Sequence, residues 1–190
     1  MRTYCTYIDE SIVEIDVKNG QYLVCAVLVD SFYSEEVRST VRSLAVSGQK
    51  KLHWSKETAK RRQRIVKAIS EIQCKAIIIR CTYELTRNSE RYRRKCLHAL
   101  YRAIDEFEHL KVIVESRERN QDQADVNHLV SLRNSKEIYK FRVTHLKGRE
   151  EPLLWLPDIY LGVANSLRHG RQDFYDAVKK NIIADMRIDS

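Results

Sequence analysis

A nearly unbroken apolar segment near the N-terminus constrains the fold more than any other feature of this sequence. Residues 22–29 read YLVCAVLV, a run of β-branched, aromatic and small side chains with no charged residue among them. Such a segment predicts a strand that is buried on both faces. Because each face of that strand must then be covered, we expect a sheet with helices packed against both sides.

The segments around this strand predict a mixed sheet. Residues 3–8 are typical of a strand, and Asn19-Gly20 is a strong hairpin signal, so the first two strands should be antiparallel. Strand-like and helix-like patterns then alternate. The sequence therefore predicts an α/β fold, with an N-terminal antiparallel hairpin in a mixed sheet flanked by helices. The later predicted elements are helices at about 34–45, 56–72, 89–107, 122–132, 157–167 and 172–186, and strands at 74–83, 111–114 and 138–146.

Charge and cysteine content indicate partners and compartment. The net charge of +8 and the pI near 9.3 favour a polyanionic partner such as nucleic acid, although many basic proteins bind none. The five cysteines are scattered without a metal-ligand pair, which is typical of a reducing compartment. No stretch approaches the roughly 20 apolar residues of a membrane helix, and the N-terminal residues lack a signal-peptide core. We therefore expect a cytoplasmic protein with no membrane segment.

Two acids end the first predicted strand. Asp is disfavoured in strands because it is costly to bury, yet Asp9 and Glu10 directly follow the apolar residues of this segment. A functional carboxylate explains this placement. A turn before the hairpin, with Ser11 helping to form it, explains it equally from local sequence.

Two further acids lie far along the chain. Glu115 ends the apolar segment 111–114, and strand ends are where open α/β sheets place ligand groups. It also lies in a charged stretch, so a solvated loop is the alternative. Asp158 follows Pro157 in an apolar helical segment, where the helix dipole alone would favour an acid.

Together these acids predict a metal site. Hard cations such as Mg²⁺ or Mn²⁺ take several oxygen ligands, and two such ions about 4 Å apart stabilise phosphodiester cleavage. Asp9, Glu115 and Asp158 are candidates to converge for that purpose. Glycine-rich phosphate loops and a serine nucleophile elbow are absent from the sequence, which disfavours nucleotide-driven motors and serine hydrolases.

Other residues are candidates to contact a substrate. His53 is placed to donate a proton near a phosphate or to hold the substrate, but a His beside a Trp is also a common packing residue. The basic helix predicted from about Lys56 either follows a phosphate backbone or is a solvated outer face. Its candidate contacts are Lys56, Lys60, Arg61, Arg64 and Lys67.

Four short segments, in this order, resemble the family called domain of unknown function 3800. They are YIDES at 7–11, LHWSK at 52–56, VIVE at 112–115 and LPDIYLG at 156–162. The resemblance implies a ribonuclease H-like fold and a metal-dependent nuclease. It also implies that Asp9 is the principal metal ligand, that Glu115 and Asp158 complete the set, and that Glu10 is a neighbour whose strand position can turn it to the other face.

Two positions depart from the family pattern. Ile12 stands where the family usually has Gly, and Lys51 stands where members often have an acid. A different ligand set, or a binding fold without catalysis, is compatible with Lys51.

The sequence thus leaves two hypotheses. The first is a nuclease that uses Mg²⁺ or Mn²⁺, with residues 1–190 forming one ribonuclease H-like domain and the helix at about 172–186 as an appendage. The second is a catalytically silent module of a bacterial defence or mobile-element system. Such a module would bind nucleic acid or a protein partner, and a homo-oligomer is compatible with either hypothesis.

Overall fold

The computed structural model describes residues 2–86, 88–138 and 140–189, and its centre is a mixed six-stranded sheet. The strand order is β5-β4-β1-β2-β3-β6. β2 is antiparallel to both β1 and β3, whereas the β1–β4, β4–β5 and β3–β6 pairs are parallel. The strands are β1 (Thr3–Glu14), β2 (Asn19–Asp30), β3 (Cys74–Glu84), β4 (Glu108–Glu115), β5 (Val143–Leu146) and β6 (Ile182–Ile188).

Helices cover both faces of this sheet. They are α1 (Ser34–Ser43), α2 (Ala59–Ser70), α3 (Ser89–Ile104), α4 (Arg119–Asn134), α5 (Trp155–Ser166) and α6 (Gln172–Val178). The apolar sides of α1, α2, α5 and α6 pack into one core, which we call the front face. Those of α3 and α4 pack into a second core on the back face. The predicted α/β class with an N-terminal hairpin and flanking helices is confirmed.

The apolar segment that leads to this arrangement is β2. All of its residues from Gly20 to Val29 are buried. Leu23, Cys25 and Val27 point into the front core, and the alternating residues Val24 and Ala26 point into the back core. The period of two thus supplies side chains to both cores from one strand, as the continuous apolar run predicts.

The hairpin is present, but its turn is not formed by Asn19-Gly20. β1 and β2 are longer than predicted, and Gly20 pairs with Glu14 within the sheet. The turn is formed by residues 15–18, between the two strands. There, Asp16 Oδ1 accepts the backbone N–H groups of Lys18 and Asn19 at 2.8 and 2.9 Å. An Asp side chain that bonds its own downstream backbone makes such a turn without the glycine.

The predicted C-terminal helix at 172–186 is wrong in its second half. α6 ends at Val178, and residues 182–188 form β6, which pairs with β3. Buried Asn181 stops the helix, since its amide donates to the Ile72 carbonyl and the Tyr160 hydroxyl, both at 3.0 Å. The C-terminal segment is therefore part of the sheet and not an appendage.

Two other boundaries differ from the sequence prediction. α2 begins at Ala59 with Thr58 as its N-cap, because Trp54–Lys56 forms a separate 3₁₀ turn. The strand predicted at 138–146 is shorter, from Val143 to Leu146, and Tyr139 in that range lies outside the described residues.

Over the described part of the chain, no helix combines the length and apolarity needed to cross a bilayer.

Candidate metal centre

Asp9 and Glu115 lie side by side where the parallel pairing of β1 and β4 stops. Glu115 ends β4 as predicted, but the prediction that Asp9 ends its strand or starts a turn is wrong, because β1 continues to Glu14 in its pairing with β2. In the β1–β4 register Ile8 pairs with Val114, so Asp9 and Glu115 are the next residues on the two strands. Tyr7 and Ile113, two residues earlier on each strand, point into the front core. Because strand side chains alternate, Asp9 and Glu115 also point to the front face, toward α5.

Asp158 approaches the same place from the first turn of α5. Its Oδ2 accepts the Trp54 backbone N–H at 2.9 Å, so the carboxylate also anchors the segment that carries Lys51 and His53. The Trp54 ring packs closely on α5, where a Cβ at Gly162 would collide with the indole. Asp158 therefore has a specific partner, the Trp54 backbone N–H, in addition to its favourable interaction with the helix dipole.

Electrostatics indicate that these three carboxylates share one environment. Burial raises the pKa of Asp9 well above its ordinary value; the neighbouring Glu115 and Asp158 carboxylates raise it further, and Lys51 lowers it in part. Burial likewise raises the pKa of Asp158. Like charges held together in a partly buried pocket disfavour ionisation, so the pocket favours a cation.

Lys51 is the cationic residue inside this pocket. Its Nζ forms an ion pair with Glu115 Oε1, and the two side chains are only 16% and 17% exposed. The Lys51 stem lies against Gly148, where a Cβ would come within 2.8 Å of the Lys51 Cδ and Cε atoms. Trp155 Nε1 fixes Gly148 by donating to its carbonyl at 2.7 Å. Lys51 is therefore held in the pocket beside Glu115.

The remaining donor atoms fit a divalent cation. Glu115 Oε2 is buried and has no hydrogen-bond partner among the described residues, which is costly for a carboxylate oxygen unless a ligand uses it. When metal binding ionises them, three carboxylates beside one ammonium would carry two net negative charges. Carboxylate oxygens are also the donors that Mg²⁺ and Mn²⁺ prefer.

Glu10 lies on the other side of the sheet. Its Oε2 accepts from Arg93 Nε at 2.6 Å on the back face, and Arg93 is only 1% exposed. The structure therefore does not bring Glu10 to the other predicted site residues, because adjacent strand residues point to opposite faces. Its contact indicates a structural ion pair.

A second acidic group lies near Glu10 on the back face. Among the described residues, one set of potential ligand atoms lies within 4.8 Å of one another, and it belongs to Asp122, Asp125 and His145. Asp9, Glu115 and Asp158 do not form a group this compact. However, both Asp125 oxygens accept from Arg93. Burial opposes this charge, but hydrogen bonds from His145 and Arg93 prevail and lower the pKa of Asp125 to about 2.

The back-face group is therefore already neutralised by protein cations. Arg117 adds a second guanidinium, 3.6 Å from Asp125 Oδ1. A metal ion there would have to replace Arg93 at a carboxylate that is 2% exposed. Of the two acidic groups, the front-face carboxylates around Asp9 have fewer ion pairs to protein cations among the described residues. The sequence did not indicate that Arg93 pairs with Asp125, because an ion pair that spans 32 residues leaves no local pattern.

His53 lies beside the front-face carboxylates with a lowered pKa. Burial is the main cause, and Lys51 adds to it. A His with a pKa below its ordinary 6.5 is neutral at pH 7, so its imidazole carries one N–H donor and one acceptor nitrogen. Proton donation by imidazolium is therefore disfavoured at this position, whereas hydrogen bonding to a substrate is favoured.

A groove of about 430 Å³ opens next to Asp158. Arg62 borders it, with its guanidinium 5.2 Å from the Trp54 ring centroid and its Nε donating to the Trp54 carbonyl at 3.1 Å. Asn165 Oδ1 also lines the groove and is buried without a hydrogen-bond partner. The groove therefore offers polar groups, including one fixed cation, directly beside a candidate ligand.

The predicted basic contacts are divided by the structure. Lys60, Arg64 and Lys67 are exposed and recur along α2 at helical spacing, so they form one basic stripe. Lys56 is exposed in the 3₁₀ turn. Arg61 differs, because it donates to Glu57 and to the Leu44 carbonyl, both at 2.7 Å. Its cation already has protein partners.

This mixed sheet order, with helices on both faces, is a ribonuclease H-like α/β fold. Solved structures with a similar fold include the PCNA:RNase HII complex from Archaeoglobus fulgidus (TM-score 0.55, 14% identity, 92% of this chain and 78% of that one). Ribonuclease H2 from Pyrococcus horikoshii OT3 gives 0.54 at 11% identity, over 90% and 74%. A point mutant of Bst-RNase HIII gives 0.51 at 16% identity, over 90% and 55%.

Identities this low show a shared fold only. No family model matches the chain, and no curated protein matches it. The resemblance to the family called domain of unknown function 3800, and the assignment of individual ligands, therefore stay predictions.

Proposed function

We propose that this protein is a divalent-metal-dependent nuclease that hydrolyses phosphodiester bonds of nucleic acid. Mg²⁺ or Mn²⁺ would be held by Asp9, Glu115 and Asp158. The observation that carries the proposal is the convergence of these carboxylates from β1, β4 and α5, with a buried Glu115 oxygen that has no partner. The ribonuclease H-like fold supports it, since the similar structures include ribonucleases HII and HIII.

The residues around the pocket have separable tasks in this proposal. A bound divalent cation supplies positive charge to the reacting phosphate. The main-chain contact between Trp54 and Asp158 holds the His53 segment over the pocket. Neutral His53 hydrogen-bonds the substrate, and Arg62, fixed by the Trp54 ring and carbonyl, holds a phosphate in the neighbouring groove. The site thus positions a phosphodiester beside the carboxylates.

The charge distribution supports a nucleic-acid substrate. The chain carries a net charge of +8, and Lys60, Arg64 and Lys67 present a basic stripe on α2. Each phosphate contact from such a stripe releases a counterion and adds to affinity. All five cysteines are free thiols, which agrees with our proposal of a reducing, cytoplasmic location.

A cleavage assay with matched variants tests the proposal. Purified protein is incubated with single-stranded DNA, single-stranded RNA, duplex DNA and an RNA–DNA hybrid, in Mg²⁺, Mn²⁺ or EDTA. We expect metal-dependent cleavage of at least one substrate, lost in Asp9→Asn and retained in Asp176→Asn, which changes an exposed acid on α6. Equal cleavage by wild type and Asp9→Asn would show that the activity comes from elsewhere.

A second function is favoured by one contact. Lys51 already neutralises Glu115, so a catalytically silent module that binds nucleic acid or a protein partner needs no metal. The two functions differ in their response to metal, because a ligand that binds only the folded state raises the melting temperature. An unchanged melting temperature in millimolar Mg²⁺ and Mn²⁺, together with binding of uncleaved nucleic acid, would favour the silent module.

A further inference from the structure

Lys51 occupies a position in the carboxylate pocket that a cation would otherwise take. We propose that its ammonium group replaces one metal ion, so that the pocket binds a single divalent cation and not a pair. This inference rests on the proposed function, since it concerns how the same carboxylates bind metal. It makes Lys51 a residue that sets metal stoichiometry.

The contacts of Lys51 show that its position is built into the fold. Its neighbour Leu52 is fully buried, and Trp54 donates its backbone N–H to Asp158. These two contacts fix the backbone on the C-terminal side of Lys51. The side chain then runs past Gly148, which has no Cβ to obstruct it, to reach Glu115 Oε1. A flexible surface lysine would have no such anchored path.

The charges in the pocket favour one divalent ion. A metal ion binds carboxylates in their ionised form, and with the Lys51 ammonium paired to Glu115 three ionised carboxylates carry two net negative charges, which one divalent cation neutralises. A second divalent cation would leave the pocket positively charged next to a buried ammonium. Without Lys51, the pocket has one more negative charge and the space now filled by the ammonium, and both changes favour a second ion.

The two oxygens of Glu115 have different surroundings. One oxygen of Glu115 faces the ammonium, whereas its Oε2 is buried and unpartnered. The same carboxylate can therefore keep its ion pair with one oxygen and offer the other to a metal ion.

Counting bound Mn²⁺ tests the inference. Isothermal titration calorimetry and electron paramagnetic resonance of bound Mn²⁺ should give one ion per wild-type chain, and two in Lys51→Gln. Lys51→Arg, which keeps the charge, should bind one. Lys50→Gln is the matched control, because Lys50 is adjacent in sequence, and it should also bind one. Circular dichroism confirms that each variant is folded.

The outcomes separate this inference from the proposed function. Two ions in wild type would overturn the role of Lys51 but leave a metal-dependent nuclease intact. One ion in folded Lys51→Gln would also overturn it. No ion in either wild type or Lys51→Gln would overturn both proposals. The wild-type count does not depend on any variant, so a Lys51→Gln protein that fails to fold leaves the central claim testable.

Discussion

Replacing Asp9 and Glu10 one at a time should have opposite consequences, because these neighbours point to opposite faces of the sheet. Asp9→Asn removes a carboxylate whose ionisation is opposed by burial, Glu115 and Asp158. We therefore expect its melting temperature in EDTA to equal or exceed that of wild type. Glu10→Gln removes the charged partner of Arg93, 2.6 Å from its Nε, and should be destabilising.

The expected sizes follow from these contacts. A hydrogen bond to a charged group contributes about 1.5–3 kcal/mol, and the partial exposure of Glu10 favours the lower end. At about 2–4 °C per kcal/mol for a chain of this size, Glu10→Gln should melt roughly 3–6 °C below wild type. Metal at 100 times its dissociation constant adds about 2.7 kcal/mol to a protein with one site, or roughly 5–11 °C.

Differential scanning calorimetry with EDTA and with saturating Mn²⁺ measures both effects. Wild type and Glu10→Gln should show the same rise with Mn²⁺, whereas Asp9→Asn should show little or none. The assignment of faces is refuted if Glu10→Gln loses the rise and Asp9→Asn keeps it. A Glu10→Gln protein as stable as wild type would show that the Arg93 contact contributes nothing measurable.

Three further predictions concern the back face and the basic stripe. Arg93→Met should cost about 3–5 kcal/mol in urea unfolding, because it leaves Asp125 buried without its guanidinium, and Arg93→Met/Asp125→Leu should recover much of that loss; equal losses in both would contradict this. The pKa of Asp125, lowered to about 2, stabilises the fold above pH 4, so about 2 kcal/mol should disappear as pH falls from about 4 to about 2, and acid titration of Asp125→Asn should lack this step. Changing Lys60, Arg64 and Lys67 to Gln should weaken nucleic-acid binding and reduce its salt dependence by roughly two to three counterions; an unchanged slope in fluorescence anisotropy would place the interface elsewhere.

The sequence predicts the central part of the fold because local pattern and burial agree there. The run at 22–29 has a single plausible environment, and Glu115 ends β4 where the apolar segment stops. The C-terminal strand β6 could not be predicted in this way. Its partner strand β3 lies far earlier in the chain, and the helical pattern before it continues past Val178 until Asn181 bonds to other elements.

The sequence indicates the acids of the candidate site but not the ion pairs that they form. Asp9 and Glu115 stand out because carboxylates are unusual beside apolar strands. The partners of Lys51 and Arg93 could not be predicted, since basic residues are frequent in this chain and those partners lie 64 and 83 residues away. Which cation pairs with which acid depends on packing, and that information is absent from any short segment.

The buried Arg93 also has a consequence for how β1 is aligned in the sheet. If β1 slid by one residue against its neighbours, every side chain would change sides, so Glu10 would enter the front pocket and Asp9 would turn toward α3. Arg93 holds Glu10 on the back and thereby keeps Asp9 on the front. A guanidinium that touches none of the three front carboxylates thus determines which acid the front pocket receives.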